Sequence, residues 1–195
     1  MGEVIGYGED SLTYWALTQG LDEVLKKLSI KTKDALEKKD ITTILYRPSL
    51  GRGRGCYGEF DAILVAKEKK KVYLIESKWW RSKEITTRYG ERVELRDAQY
   101  KRHNILERSI KKKSPDTSPS KSLLKENLEK MLEYTGKGDI AVENVILLFW
   151  RRKDGDGKDK SWTVNLKSNK DKKLVNFHVI EIDWMGEDFF TLGHY

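Results

Sequence analysis

Behind Asp10 or Ser11 as N-cap, apolar residues recur at Leu12, Trp15, Leu17, Leu21, Val24, Leu25 and Leu28, a spacing that predicts a first helix packed on a core. Residues 41–46 are a short β-branched run stopped by Pro48, and Gly51-Arg52-Gly53-Arg54-Gly55 predicts a flexible basic loop. Residues 59–66 and 72–80 then read as the two strands of a hairpin, joined by the charged turn 67–71. Both strands carry apolar residues on both faces near their middles, which suits central strands. A basic, helix-biased segment covers residues 90–113, residues 113–122 predict a mobile surface loop rich in Ser, Pro and Lys, and residues 123–134 have helical character. Residues 142–150 form a strongly apolar strand, followed by a charged turn at 153–160 and strands at 162–166 and 174–184. This order of elements predicts one α/β domain over residues 1–195, with a mixed central sheet to which the hairpin contributes an antiparallel pair.

The hairpin concentrates charge at one place. Centring its turn between Glu68 and Lys69 sets Asp61 opposite Glu76 and Glu59 opposite Lys78, with all four on one face. Opposed side chains stand about 5 Å apart at Cβ, where like charges destabilise a sheet, so two carboxylates there need a compensating cation. A hard divalent ion such as Mg²⁺ meets that need, because it prefers carboxylate oxygen, retains waters and binds phosphate. Lys78 points to the same side as Glu76. There an ammonium can orient or deprotonate water and steady the charge that develops on phosphorus.

Composition supports a polyanionic partner without proving one. Lys and Arg outnumber Asp and Glu by 38 to 31, a net charge of +7, and 35% of the chain is charged. A surface this rich in Lys and Glu is also common in proteins from hot environments. Cys56 is the only cysteine, which excludes a disulfide framework or a Cys-based zinc site. Residues 1–10 lack a charged start followed by an apolar run, and no stretch approaches the roughly 20 apolar residues of a membrane span. The expectation is a cytoplasmic protein without a membrane partner.

Gly58-Glu59-Phe60-Asp61-Ala62-Ile63-Leu64-Val65, a charged turn, and then Val72-Tyr73-Leu74-Ile75-Glu76-Ser77-Lys78 resemble the core of the PD-(D/E)xK nuclease superfamily. That superfamily includes restriction endonucleases and archaeal Holliday junction resolvases. The Gly-Glu-x-Asp form is similar to the resolvase-like and RecB-like branches, with Phe60 in place of the Pro of the family name. The resemblance implies a restriction endonuclease-like core and a Mg²⁺- or Mn²⁺-dependent deoxyribonuclease, in which attack by a metal-bound water leaves a 5′-phosphate. It implies catalytic roles for Asp61, Glu76 and Lys78, with Asp61, Glu76 and Ser77 holding the metal. Replacing any of the catalytic three by Ala is then expected to abolish cleavage with the fold nearly intact. An acid on the first helix often joins such a site. Glu23 and Asp22 are candidates, with Gln19 one turn earlier, and Glu59 is a further accessory. Gln99 corresponds to a helical Gln of RecB-like members, while His103 stands where they carry Tyr.

The alternative is a non-catalytic nucleic-acid-binding module of the same fold. DNA is the expected partner in both readings, contacted by Arg52 and Arg54 in the glycine loop and by Arg81 and Lys83 after the hairpin. The basic residues Arg88, Arg92, Arg96, Lys101, Arg102 and 111–113 extend that surface. Gly53-x-Gly55-x-x-Gly58 spells a dinucleotide fingerprint but opens a strand where the motif must open a helix. Asp154-Gly155-Asp156 imitates a calcium loop but meets Asn165 at position twelve, so it reads as a turn. His103, His178 and His194 are too scattered for a metal cluster and read as surface or satisfied core. A single site per chain and the apolar tail Phe189, Phe190, Leu192 and Tyr195 predict a homodimer.

Overall fold

The structure, a computed structural model, describes residues 3–51, 58–87, 91–111, 122–136, 138–150, 161–174, 176–183 and 189–194. Arg52, Arg54, Cys56, Arg88, the loop expected at 113–122 except Ser122, and the turn expected at 153–160 lie outside the described residues.

The expected first helix is two. α1 (Gly8–Thr18) and α2 (Leu21–Thr32) are separated at Gly20, whose N–H caps α1 on the Trp15 carbonyl and whose carbonyl starts α2. A Cβ at Gly20 would stand 2.9 Å from the Trp15 ring, so a larger residue there would displace the indole. Both helices bury their apolar stripes, with Leu12, Leu17, Leu25 and Leu28 at 2% exposure or less.

Those stripes cover one face of a five-stranded sheet of order β10-β7-β4-β3-β2, made of β2 (Thr43–Tyr46), β3 (Ala62–Ala66), β4 (Lys71–Trp79), β7 (Ala141–Trp150) and β10 (Phe177–Asp183). β10, β7 and β4 run parallel, while β4, β3 and β2 are antiparallel. The fold is therefore α/β with a mixed sheet flanked by helices, as the sequence predicts. Alternation assigns the faces. Tyr73, Ile75, Val145, Leu147 and Phe149 pack on α1 and α2. Ile63, Val65, Val72 and Leu74 pack on the other side, against α3 (Asp97–Lys111) and α4 (Ser122–Thr135).

A second sheet, of order β5-β6-β8-β9, consists of β5 (Ile85–Thr86), β6 (Arg92–Leu95), β8 (Thr163–Leu166) and β9 (Asn169–Lys173). Through Val93, Leu95 and Val164 it covers Ile146 and Leu148 of β7. The segment expected as helical from residue 90 thus begins with a strand. The C-terminal tail also has a partner within the chain. β11 (Phe189–His194) pairs antiparallel with β1 (Glu3–Tyr7), so the backbone of residues 189–194 has a partner within the chain. Among the described residues no helix is long and apolar enough to cross a membrane.

Candidate active site

The β3–β4 register pairs Ala62 with Ile75 and Leu64 with Tyr73, as a turn centred between Glu68 and Lys69 requires. Continued one step, it sets Asp61 opposite Glu76. β3 has ended there, and at Asp61 the chain bends away to pair with residues 47–51. This corrects the place expected for Glu59. Rather than facing Lys78, Glu59 bridges to Ser49, and its carboxylate is bound by Arg47, which also holds Asp10.

The departure of β3 leaves the end of β4 with an unpaired edge, and two carboxylates take its place. Asp61 Oδ2 accepts the Ser77 N–H at 2.6 Å, and Glu9 Oε2 accepts the Trp79 N–H at 2.8 Å. Glu9 is the first-helix acid of this site. The residues expected in that role are engaged elsewhere: Asp22 with Lys38, Glu23 with Lys27, and Gln19 with the Leu192 carbonyl. Glu9 precedes the first apolar-periodic residue, so the helical pattern does not mark it, yet it lies in the first turn of α1, where the helix dipole favours an acid. Thr13, one turn on, donates its one hydroxyl hydrogen to the Glu9 carbonyl and accepts a hydrogen bond from the Ser77 hydroxyl, tying α1 to β4.

Glu76 and Lys78 are 0% and 3% exposed and face α3. Glu76 Oε1 accepts from Arg102 Nε at 2.7 Å and from Arg102 Nη2, and His103 Nε2 stands 3.2 Å from the same oxygen. Gln99 Nε2 donates to Oε2 at 2.9 Å, so the one α3 residue expected at the site is there. Burial alone would raise the Glu76 carboxyl, but His103 and Arg102, aided by Lys78, hold it below its ordinary range. Arg102, expected on a DNA-facing basic surface, is instead buried. His103 continues to Asn144 Oδ1 at 2.7 Å and lies between the rings of Phe60 and Phe177. Phe60 thus roofs the partners of Glu76.

Lys78 Nζ stands 4.0 Å from Glu9 Oε1. It also acts electrostatically on Asp61, Glu76 and Glu84. Glu84, unforeseen from sequence, is buried after β4 and bound by Ser82 and Arg96. Burial would raise its carboxyl, but those hydrogen bonds and the nearby Lys78 and Arg96 charges bring it down to about 2. Pairing Glu76 with Arg102 and Glu84 with Arg96 leaves Glu9 and Asp61 to share the single ammonium of Lys78. Both carboxyls respond. Glu9 is raised, chiefly by burial, against the pull of Lys78 and the Trp79 N–H. Asp61 is pushed up to about 7 by burial first and by repulsion from Glu76 second, with the Ser77 N–H and Lys78 opposing. Among the described residues the group is one positive charge short.

Among the described residues no three His, Cys, Asp or Glu side chains form a metal-binding group. Mg²⁺ does not require three, since it keeps several waters and takes one or two carboxylates. Oxygen donors fit it here. Asp61 has one oxygen beyond the bond to Ser77, and Glu76 Oε2 has a lone pair beyond the bond from Gln99. The Ser77 carbonyl faces the same open edge as its N–H, because a strand residue turns both to one side. Of the other expected nucleic-acid contacts, Arg81 and Lys83 are exposed beyond the end of β4.

A concavity of about 460 Å³ lies at the opposite end of β4, lined by Lys67, Lys70, Lys71 and Tyr134. A smaller one, about 200 Å³, reaches this site only through His103. Comparisons with protein-family models, curated proteins and solved structures return no match. The fold defines an α/β protein with a buried acid–lysine group at one end of a mixed sheet.

Proposed function

We propose that the chain is a metal-dependent nuclease with a restriction endonuclease-like core, hydrolysing DNA phosphodiesters at Asp61, Glu76 and Lys78. The observation that carries this reading is the charge deficit at the end of β4. Two opposed strand positions bring Asp61 and Glu76 together, and burial first and the Glu76 charge second push the Asp61 carboxyl up to about 7, a cost that a bound cation would relieve. Asp61, one oxygen of Glu76 and the Ser77 carbonyl would hold Mg²⁺ or Mn²⁺. A bound ion of that kind neutralises phosphate and makes water more acidic.

The chain's own groups do the rest. Lys78 projects a buried ammonium beside Asp61, where it can neutralise charge that develops on a phosphate or orient a water. Glu9 is a positioning residue, holding the Trp79 N–H with one oxygen and facing Lys78 with the other. Gln99, Arg102 and His103 fix the Glu76 carboxylate, so its free lone pair keeps one direction.

Incubation with supercoiled, linear, single-stranded and branched DNA, with and without Mg²⁺ or Mn²⁺, tests the reading. Cleavage is expected only with metal, and Lys78→Ala should lower its rate on the order of 10²-fold or more. Failure to cut any of the four substrates would sink the proposal. A second reading, a binding module without catalysis, draws on the extent to which Arg102 and His103 already satisfy Glu76. It predicts DNA binding with no metal uptake, which calorimetric titration with Mn²⁺ would separate. In either case the excess of Lys and Arg predicts DNA affinity that falls about 10²-fold or more between roughly 50 and 200 mM salt, as counterion release dictates. A flat salt response in an anisotropy titration would remove DNA as the partner.

A further inference from the structure

Beside the acid–lysine group runs a row of aromatic rings that the chemistry above does not use. Its cause is local. β4 ends in Trp79, and the Ser82 N–H bonds back to the Trp79 carbonyl at 2.6 Å, closing a tight turn. That turn lays Arg81 over both indoles, 4.8 Å from the Trp80 centroid and 5.3 Å from that of Trp79. The two indoles meet edge to face at 6.4 Å. Tyr7 also stands against Trp79, 5.8 Å away at an interplanar angle of 84°. Tyr7 keeps 52% of its surface exposed beside that contact.

The row is anchored to the site at two of its rings. Tyr7 is the extended residue directly before α1, two positions from Glu9, and Trp79 follows Lys78 and donates its N–H to Glu9. Three features combine here: an exposed aromatic ring, an exposed guanidinium held flat by two rings, and exposed Lys83 just beyond. An aromatic ring face stacks on a base only if the base has left its own stack, whereas an ordered guanidinium takes a phosphate from any strand. The pair therefore fits a nucleotide whose base is unpaired, and the chain's net charge of +7 complements its backbone.

We propose that Tyr7, Trp79, Trp80 and Arg81 form a platform for single-stranded DNA, with an unpaired base stacked on Tyr7 and a phosphate held by Arg81, next to the Asp61–Lys78 group. The platform gives the proposed nuclease its substrate class, a strand with an unpaired nucleotide beside the site. It rests on that reading for its purpose but not for its binding.

The test is fluorescence anisotropy with the full chain in chelator, comparing a labelled single strand with a hairpin duplex of equal length. Wild type is expected to prefer the single strand. Tyr7→Ala should weaken single-strand binding about 5- to 100-fold and leave duplex binding within about twofold, while Tyr7→Phe retains wild-type affinity. Arg81→Ala should lower the salt slope for single-strand binding by about 1. If Tyr7→Ala fails to fold, as judged by circular dichroism, Tyr7→Leu carries the same expectation, because it keeps the apolar contact with Trp79 and loses the aromatic face. Equal losses on both DNAs, no loss on the single strand, or a wild-type preference for duplex would overturn the platform. Single-strand binding with these effects but no metal-dependent cleavage would uphold the platform and remove the nuclease reading. Cleavage of a single strand at a rate and affinity unchanged by Tyr7→Ala would do the reverse.

Discussion

Asp61→Asn is expected to stabilise the metal-free protein at pH 8 by roughly 2–4 kcal/mol while abolishing its activity. The Asp61 carboxyl titrates at about 7 in the folded chain, against about 3.9 for an unperturbed Asp. Below pH 4 both states hold the proton, and the neutral side chain costs the fold little. As pH rises from about 4 the unfolded chain gives up its proton first, so stability declines until the folded carboxyl has ionised as well, above about 7. Asn keeps an oxygen for the Ser77 N–H and never acquires the charge. The variant should therefore match wild type near pH 4 and exceed its melting temperature at pH 8 by roughly 5–15 °C, given the chain's size. Glu9→Gln should shift stability in the same direction, since the Glu9 carboxyl is also raised. Adding Mg²⁺ should raise the melting temperature of wild type and leave Asp61→Asn unmoved, as a ligand bound only by the folded state requires. Identical melting temperatures for the two proteins at pH 8 in chelator would show that Asp61 is solvated and that the charge deficit is not real.

The hairpin was legible because its signals agree. The charged turn at 67–71 sets the register, and alternation about Val72, Leu74 and Ile75 sets the faces, so the placement of Glu76 and Lys78 on one side follows from period alone. The flanks were not legible, for different reasons. Glu59 obeys the same period, but period cannot show that β3 begins only at Ala62 and that the preceding chain pairs with residues 47–51. β6 offers only Arg92-Val93-Glu94-Leu95, too few alternations to stand out beside a helical run. β1 and β11 pair across nearly the whole chain, and neither carries a local sign of the other. Arg102 was hidden among neighbouring basic residues, although a signal existed. With Gln99, Leu106 and Ile110 it occupies the i, i+3, i+4 stripe that α3 buries, and an arginine on such a stripe requires a buried acid.

That requirement makes Arg102→Ala the most damaging single change expected here, a loss of roughly 3–5 kcal/mol. Glu76 is fully buried, and Arg102 supplies its only permanent countercharge from α3. Removing it leaves a carboxylate held by Gln99 and His103 in a site walled by Phe60 and Phe177. Glu76→Ala strands Arg102 in the same way. The expectation that alanine at Glu76 spares the fold therefore fails on physical grounds, and the isosteric Gln is the better probe of chemistry there. Replacing both partners by Met should recover much of the loss, because the desolvation cost disappears with the charges. The pH profile provides a second reading. In wild type the Glu76 carboxyl is held below its ordinary range, so its contribution to stability is present above about pH 4 and is lost as pH falls through the lower folded value. Without Arg102, burial dominates, the carboxyl rises, and stability should instead fall as pH increases above about 4. Urea denaturation of Arg102→Ala at pH 5 and pH 8 measures both effects. A loss under about 1 kcal/mol with the wild-type pH slope would mean that Glu76 reaches solvent and that α3 does not hold it.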